Sequence, residues 1–292
     1  MIKPVDYKQG DSKWGDVPYA VDGESSTIKS AGCGPTAMAD VLAALVSTYI
    51  DPLTLASWSR MKGYKVYKSG TSYSFPVAVA KEYGVTCQRL NTSNVYGKIH
   101  SSVHQVALKE LQSGNWLIAC MGKGNWTSSG HYVVAYRWQQ DKVYIMDPAS
   151  NRANRLCNTW ELFKSQVKYY WVVQVQEKMR TSGAVTGGEY RLEDQIREIQ
   201  MCLKAGITGK ADALTLAKTV SVSSKKNKKH AVVHPLQKIL KKLTLYSGEL
   251  DRSCGPGMTK AINSYQEQVL GYNKVDGEIT AKGKMWRSLL KL

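Results

Sequence analysis

A chain of 292 residues with 40 Lys and Arg against 23 Asp and Glu carries a formal charge of +17, which gives length enough for two domains and favours polyanionic partners. No apolar run approaches about 18 residues, so no membrane-spanning helix is expected, and the six scattered cysteines form no CxxC pair, which argues against zinc ribbons and dithiol redox motifs. The opening MIKPVDYKQGDSKWG is polar and lacks the apolar core of a secretory signal; the chain is expected to be made in the cytoplasm and to remain there at first, where a disulfide framework is not expected.

In chain order, the first regular element expected is a helix opening at Cys33, because Met38, Val41, Leu42, Leu45 and Val46 follow helical spacing. LTLASWSRM, FPVAVAKEYG and HQVALKELQSG read as further short helices. The pattern then changes. NWLIAC, HYVVAYRW and KVYIMD are short runs rich in β-branched and aromatic residues, separated by polar turns, and they read as strands. TWELFKSQ reads as a helix and YYWVVQV as a last strand. Helices followed by an antiparallel meander make an α+β domain. TSGAVTGG, Thr181 to Gly188, is small and uncharged and reads as a linker.

Beyond the linker the chain is helical and more cationic: residues from Met179 onward carry a net +10, against +7 for the longer segment before them. GITGKADALTLAKTV (206–220) is echoed by GEITAKGKMWRSLL (277–290), and each copy follows an amphipathic helix containing a glutamine. SSKKNKKH (223–230) reads as a basic solvated connector.

Candidate chemistry starts at SAGCGPTAM. Pro35 suits the first turn of a helix, which puts Cys33 at the positive end of the helix dipole, where a thiolate is favoured. Gly34 is expected to leave room beside the sulfur. Taken alone, the stretch fits a small buried thiol slightly better. A reactive thiol needs a base, and His131 is the candidate, because it starts a strand directly after the loop KGNWTSSG. His230 and His234 lie in the tail; His100 and His104 share a helical spacing but lack an acidic third ligand nearby, so they are expected on the surface and no metal is expected. Asp147 closes the next strand, either as a turn cap or as the group that orients the imidazole. With a hairpin turn at Gln140 and Asp141, His131 and Asp147 reach the same end.

The order Cys, His, Asp, with the thiol opening a helix and the others on a meander, resembles a papain-like site. STIKSAGCGPTAM, GHYVV and MDPAS, with Gln9 in YKQGDSKWG ahead of them, resemble the bacteriocin-leader-processing cysteine peptidases and their stand-alone relatives, family C thirty-nine-like, over about residues 1–175. The resemblance implies Cys33 as nucleophile, His131 as base, Asp147 as the orienting acid and Gln9 as oxyanion donor, with no cofactor. Trp14, Trp126 and Tyr132 read first as core packing and second as walls of the substrate cleft beside Gly34. The chain has no phosphate-binding GxxxxGK[ST] loop, unlike the transporter-linked members.

The tail resembles a short three-helix peptidoglycan-binding domain. It carries Leu236–Gln237, Tyr246, Gly248, Asp251, Gly255–Pro256, Thr259, Gln266 and Val275–Asp276–Gly277 in order, and Tyr190 to Val220 resembles a degenerate copy. The expected organisation is therefore a papain-like catalytic domain of helices and antiparallel sheet over 1–178, a linker over 179–189 and a mostly helical wall-binding domain over 190–292. As a whole it resembles endolysins of phages that infect Gram-positive bacteria. The resemblance implies a peptidoglycan hydrolase of endopeptidase type, released to the wall by a separate holin, without membrane insertion or nucleic-acid binding. An N-acetylmuramoyl-L-alanine amidase using the same site and a non-catalytic wall-binding protein are the alternatives.

Overall fold

The computed structural model describes residues 2, 4–95, 101–176 and 188–292. Two compact units are present: Met1–Asp11 with Tyr19–Glu189, and Ser12–Pro18 with Tyr190–Leu292. The second unit takes in Ser12–Pro18, which lie within the 1–178 segment expected to be the catalytic domain. Of the expected linker, residues 179–187 lie outside the described residues, as does His100.

The first unit begins with the short α1 (Ile28–Ala31), which ends at Gly32, the residue before α2 (Cys33–Leu45). From Gly34 to Leu45 every residue of α2 is buried, so this is a central helix rather than a surface one. Its backbone also anchors the N-terminal segment, whose Val5 N–H donates to the Asp40 carbonyl at 3.0 Å. Helix α3 (Pro52–Met61) is started by Asp51, which accepts from the Thr54 N–H at 3.0 Å, and by Pro52 in the first turn. Helix α4 (Phe75–Glu82) follows, then β1 (Cys87–Arg89), α5 (Ser101–Gln112), β2 (Trp116–Met121), β3 (His131–Gln139), β4 (Lys142–Met146), α6 (Ala153–Leu156), β5 (Cys157–Thr159), α7 (Trp160–Gln166) and β6 (Val167–Val173).

The six strands form one sheet in the order β1-β6-β2-β3-β4-β5, with every neighbouring pair antiparallel. β2 is buried on both faces. Trp116, Ile118 and Cys120 face the cluster built on α2, whereas Leu117, Ala119 and Met121 face the cluster with Leu111 of α5 and Phe163 of α7. This two-residue alternation places the sheet between two helical layers. β3 and β4 are joined by the two-residue turn Gln140–Asp141, both with positive φ (50° and 61°). Such a turn matches the twist of the strands and fixes their register.

The second unit holds α8 (Leu192–Cys202), α9 (Ala213–Ala217), α10 (Val233–Lys242), α11 (Pro256–Gln268) and α12 (Lys284–Leu290). One device occurs in it three times. The Gln237 side chain donates to Asp251 Oδ1 (2.7 Å) and to the Ser253 carbonyl (3.2 Å) and accepts from the Arg252 N–H (2.9 Å), while Asp251 Oδ1 accepts from the Ser253 N–H (2.9 Å). Gln266 makes the same bonds to Asp276 (2.7 Å), the Glu278 carbonyl (2.9 Å) and the Asp276 N–H (3.1 Å). Gln200 does so with Thr208 Oγ1 (3.1 Å), the Lys210 carbonyl (3.0 Å) and the Thr208 N–H (2.9 Å). A buried helix glutamine thus ties down the loop that follows it, with Thr208 standing where the other copies have an aspartate. The repeat seen as an echo in the sequence is this helix-and-clamp unit, and it occurs three times rather than two. The unit also buries the ion pair of Lys238 with Glu198 (2.8 and 3.0 Å).

Candidate active site

Three elements converge on one thiol. Cys33 is the first residue of α2, where backbone N–H groups have no helical acceptor. The N–H groups of Gly34 and Tyr132 and the His131 ring act on its sulfur to favour the thiolate. His131 opens β3, and its Nε2 is 2.7 Å from Asp147 Oδ1, leaving Nδ1 as the ring nitrogen for the sulfur. Asp147 follows the last residue of β4. The spacing of 16 positions between the two is taken up by two strands and a tight turn, so both side chains arrive at the same end of the hairpin.

Asp147 is fully buried and held on every side. Its Oδ1 also accepts from the Ala149 N–H (2.9 Å), and its Oδ2 accepts from Arg155 Nε (2.6 Å). Burial alone would raise its pKa, but the bond from His131, the Ala149 N–H and the Arg155 charge bring it below the ordinary carboxylate value. The same competition acts on its neighbours. Burial opposes the charged form of His131, yet Asp147 and Cys33 raise its pKa to about 9. Burial opposes the Cys33 thiolate, yet His131 and the two N–H groups lower the thiol below its ordinary value. The outcome favours a thiolate–imidazolium pair, the reactive form of a cysteine nucleophile.

The sulfur opens onto a cleft of about 800 Å³ whose walls include Glu24, Ser25, Lys68, Tyr73, Gly130 and Lys168. A smaller recess of about 280 Å³ continues inward past Cys33 and His131 to Thr71, Cys120 and Tyr132. Tyr132 therefore lines the site, and its hydroxyl contacts the Thr71 and Ser72 carbonyls at 3.3 Å each.

Other expected residues have different places. Gly34 does not make room for substrate: a Cβ there would meet Thr71 Cβ and Oγ1 at 2.8 Å, so the glycine allows α2 to close on the Thr71 loop. Trp14 is buried in the second unit, edge-on to His234 at 5.8 Å between ring centres, and is not a cleft wall. Trp126 is buried against Phe163, and its Nε1–H donates to the Arg155 carbonyl at 2.9 Å, so it supports the residue behind Asp147. Gln9 is nearly buried. Its backbone N–H donates to the Pro148 carbonyl (2.8 Å) and its side-chain amide to the Lys29 carbonyl (2.5 Å), so one of its two amide hydrogens is already engaged; its Oε1 is buried without a hydrogen-bond partner. His104 is not a surface residue: its Nδ1 lies 2.9 Å from the Tyr170 hydroxyl and its Nε2 3.1 Å from the Val95 carbonyl, a buried tie between α5 and β6. Arg155 is the site residue that sequence reasoning missed. It sits on a four-residue helix with no periodic signal, and only its eight-residue distance from Asp147 points to it. Among the described residues no cluster of His, Cys, Asp and Glu is arranged to hold a metal ion.

No curated protein matches the chain. Among solved structures, the peptidase domain of Streptococcus ComA, a bi-functional ABC transporter, is similar at 20% identity over 50% of this chain and 92% of that one, with a TM-score of 0.34. A double glycine motif protease from an AMS/PCAT transporter, in complex with its leader peptide, is similar at 18% identity over 60% of this chain and 100% of that one, also with a TM-score of 0.34. The profile of the Peptidase_C39 like family matches residues 14–179, more than half of the sequence, and includes Cys33, His131 and Asp147 while leaving Gln9 outside. The chain belongs to the Peptidase_C39 like family, a family of cysteine peptidases.

Proposed function

We propose that the protein is an endolysin-type peptidoglycan hydrolase that cuts an amide bond in the wall peptide with Cys33 as nucleophile. The observation that carries the chemistry is the relay of Asp147, His131 and a thiol of lowered pKa opening on a polar cleft. The Cys33 thiolate attacks the scissile carbonyl, and the imidazolium of His131 protonates the leaving amine. His131, again neutral, then takes a proton from the water that hydrolyses the thioester, with Asp147 holding its tautomer. The N–H of Cys33 and the second amide hydrogen of Gln9 are the proposed oxyanion donors.

The wall as substrate is supported by the tail. Its likeness to peptidoglycan-binding domains rests on Gln237, Tyr246, Asp251, Gln266 and Asp276, the residues that build two of the three loop clamps. Its net +10 suits an anionic polymer, and tethering raises the concentration of the catalyst at its target. Purified Gram-positive walls are expected to clear on addition of the protein and not on addition of Cys33→Ala. Clearing at an undiminished rate by the variant would exclude the reading. Mass analysis of the products identifies the bond: new peptide amines mean an endopeptidase, whereas intact stem peptides freed from glycan mean an amidase.

A further inference from the structure

The mechanism above leaves one thiol at the site without a role. Cys120 lies on β2 directly opposite Tyr132 of β3, and its side chain faces the α2 side of the sheet. Cys33 packs against the same cluster from the start of α2. Both thiols lie beside the start of β3: His131 and the Tyr132 N–H act on Cys33, and Cys120, whose Sγ–H points to the Met121 carbonyl at 3.9 Å, is paired with Tyr132 in the sheet. Both cysteines line the 280 Å³ recess, and both are free thiols. The other cysteines do not share this place: Cys87 and Cys157 lie on β1 and β5, at opposite edges of the sheet, and Cys202 and Cys254 belong to the second unit.

We propose that Cys33 and Cys120 are a hydroperoxide-reactive pair that closes to an intramolecular disulfide and so keeps the oxidised nucleophile recoverable. In the first step the Cys33 thiolate attacks one oxygen of the hydroperoxide. The O–O bond breaks, Cys33 becomes a sulfenic acid, and hydroxide or alkoxide leaves and takes up a proton. In the second step the Cys120 sulfur displaces the sulfenic hydroxyl, which leaves as water with the Cys120 proton. With hydrogen peroxide, two thiols lose two hydrogens and one peroxide becomes two waters. An excess dithiol reverses the bridge by exchange.

The division of labour follows from the surroundings. Burial pushes the Cys120 thiol up to about 12, so it stays protonated and does not compete with Cys33 for substrate. The lowered thiol of Cys33 makes it the sulfur that meets an oxidant first. Without a second thiol in the recess, its sulfenic acid remains open to further oxidation to the sulfinic acid, which thiols do not reverse.

The test is made on the full chain with hydrogen peroxide, and it reads thiol chemistry alone, so it is independent of which bond the enzyme cuts. After brief oxidation, free thiols are blocked with iodoacetamide and the protein is digested without reduction. The proposal expects a Cys33 peptide joined to a Cys120 peptide, two hydrogens lighter than their sum, and Cys33 labelling that returns after dithiothreitol. In Cys120→Ser and, as a second variant, Cys120→Ala, the same dose is expected to leave Cys33 two oxygens heavier and unlabelled after dithiothreitol. A wild-type protein in which Cys33 is over-oxidised, is joined to another cysteine, or stays a free thiol at that dose overturns the proposal. So does full recovery of Cys33 in both variants.

Discussion

Arg155 shows how much of the site lies behind the nucleophile. Its guanidinium holds Asp147 Oδ2 at 2.6 Å, its carbonyl is held by Trp126, and its Nη2 is buried without a partner. Removing this cation is expected to raise the pKa of Asp147. In Arg155→Ala the acid limb of the kcat/KM profile should therefore move to higher pH, and Arg155→Lys should return part of the shift. An unmoved limb would mean that Arg155 only supports the fold. The coupled groups also set the working range. Cys33 is deprotonated below the ordinary thiol value, and His131 stays protonated up to about 9. The rate of Cys33 alkylation by iodoacetamide should reach its plateau below the range of a free thiol and change again only near pH 9. His131, raised above its unfolded value, contributes stability that is complete below that unfolded value and is lost as the pH rises toward 9. At this scale, Cys33, His131 and Asp147 can be read from the sequence because a helix start and a strand pair leave periodic signals. Arg155 and the second-unit place of Trp14 cannot, since each depends on a tertiary contact with no local pattern.

At the scale of elements, α2 carries two residues whose reasons appear only in the packed structure. Gly34 admits the Thr71 loop, and Gly34→Ala drives a methyl into it at 2.8 Å. Overpacking of this kind costs about 1–3 kcal/mol, which a denaturant titration would register. Asp40 is fully buried, accepts from the Tyr7 N–H at 2.7 Å and leaves Oδ2 unbonded. Burial holds its carboxyl well above the ordinary range; the Tyr7 N–H and Lys8 oppose this, while Asp6 and Asp147 add to it. A raised acid favours folding in its neutral form, so its share of stability is largest at low pH and falls as the pH rises toward the folded value. Asp40→Asn should flatten the decline of stability with rising pH, and an unchanged slope would show that the decline arises elsewhere. The longer helices and strands are legible from periodicity. β1 and β5, of three residues each, are too short to show a period and exist because their neighbours offer an unpaired edge. In the tail, Gln237→Ala breaks the bonds of a buried amide and leaves the Arg252 N–H and Asp251 without it. A loss of about 2–4 kcal/mol is expected from several such bonds, measured as the unfolding midpoint of the variant.

For the whole molecule, the two units combine a thiol relay with a cationic helical tail, and the sequence carries both as patterns of charge and motif. A net +17 predicts wall binding that weakens as salt is raised; sedimentation of the Cys33→Ala protein with purified walls across a salt series would show it, and salt-independent binding would place recognition in uncharged contacts. The central claim, that Cys33 cleaves wall peptide, is tested most directly by digesting purified Gram-positive peptidoglycan with the protein and with Cys33→Ala and comparing the products by mass. The account predicts peptide fragments with new amino termini from the first digest and none from the second. The same fragments from both, or an intact wall beside a Cys33 that alkylates rapidly, would contradict it.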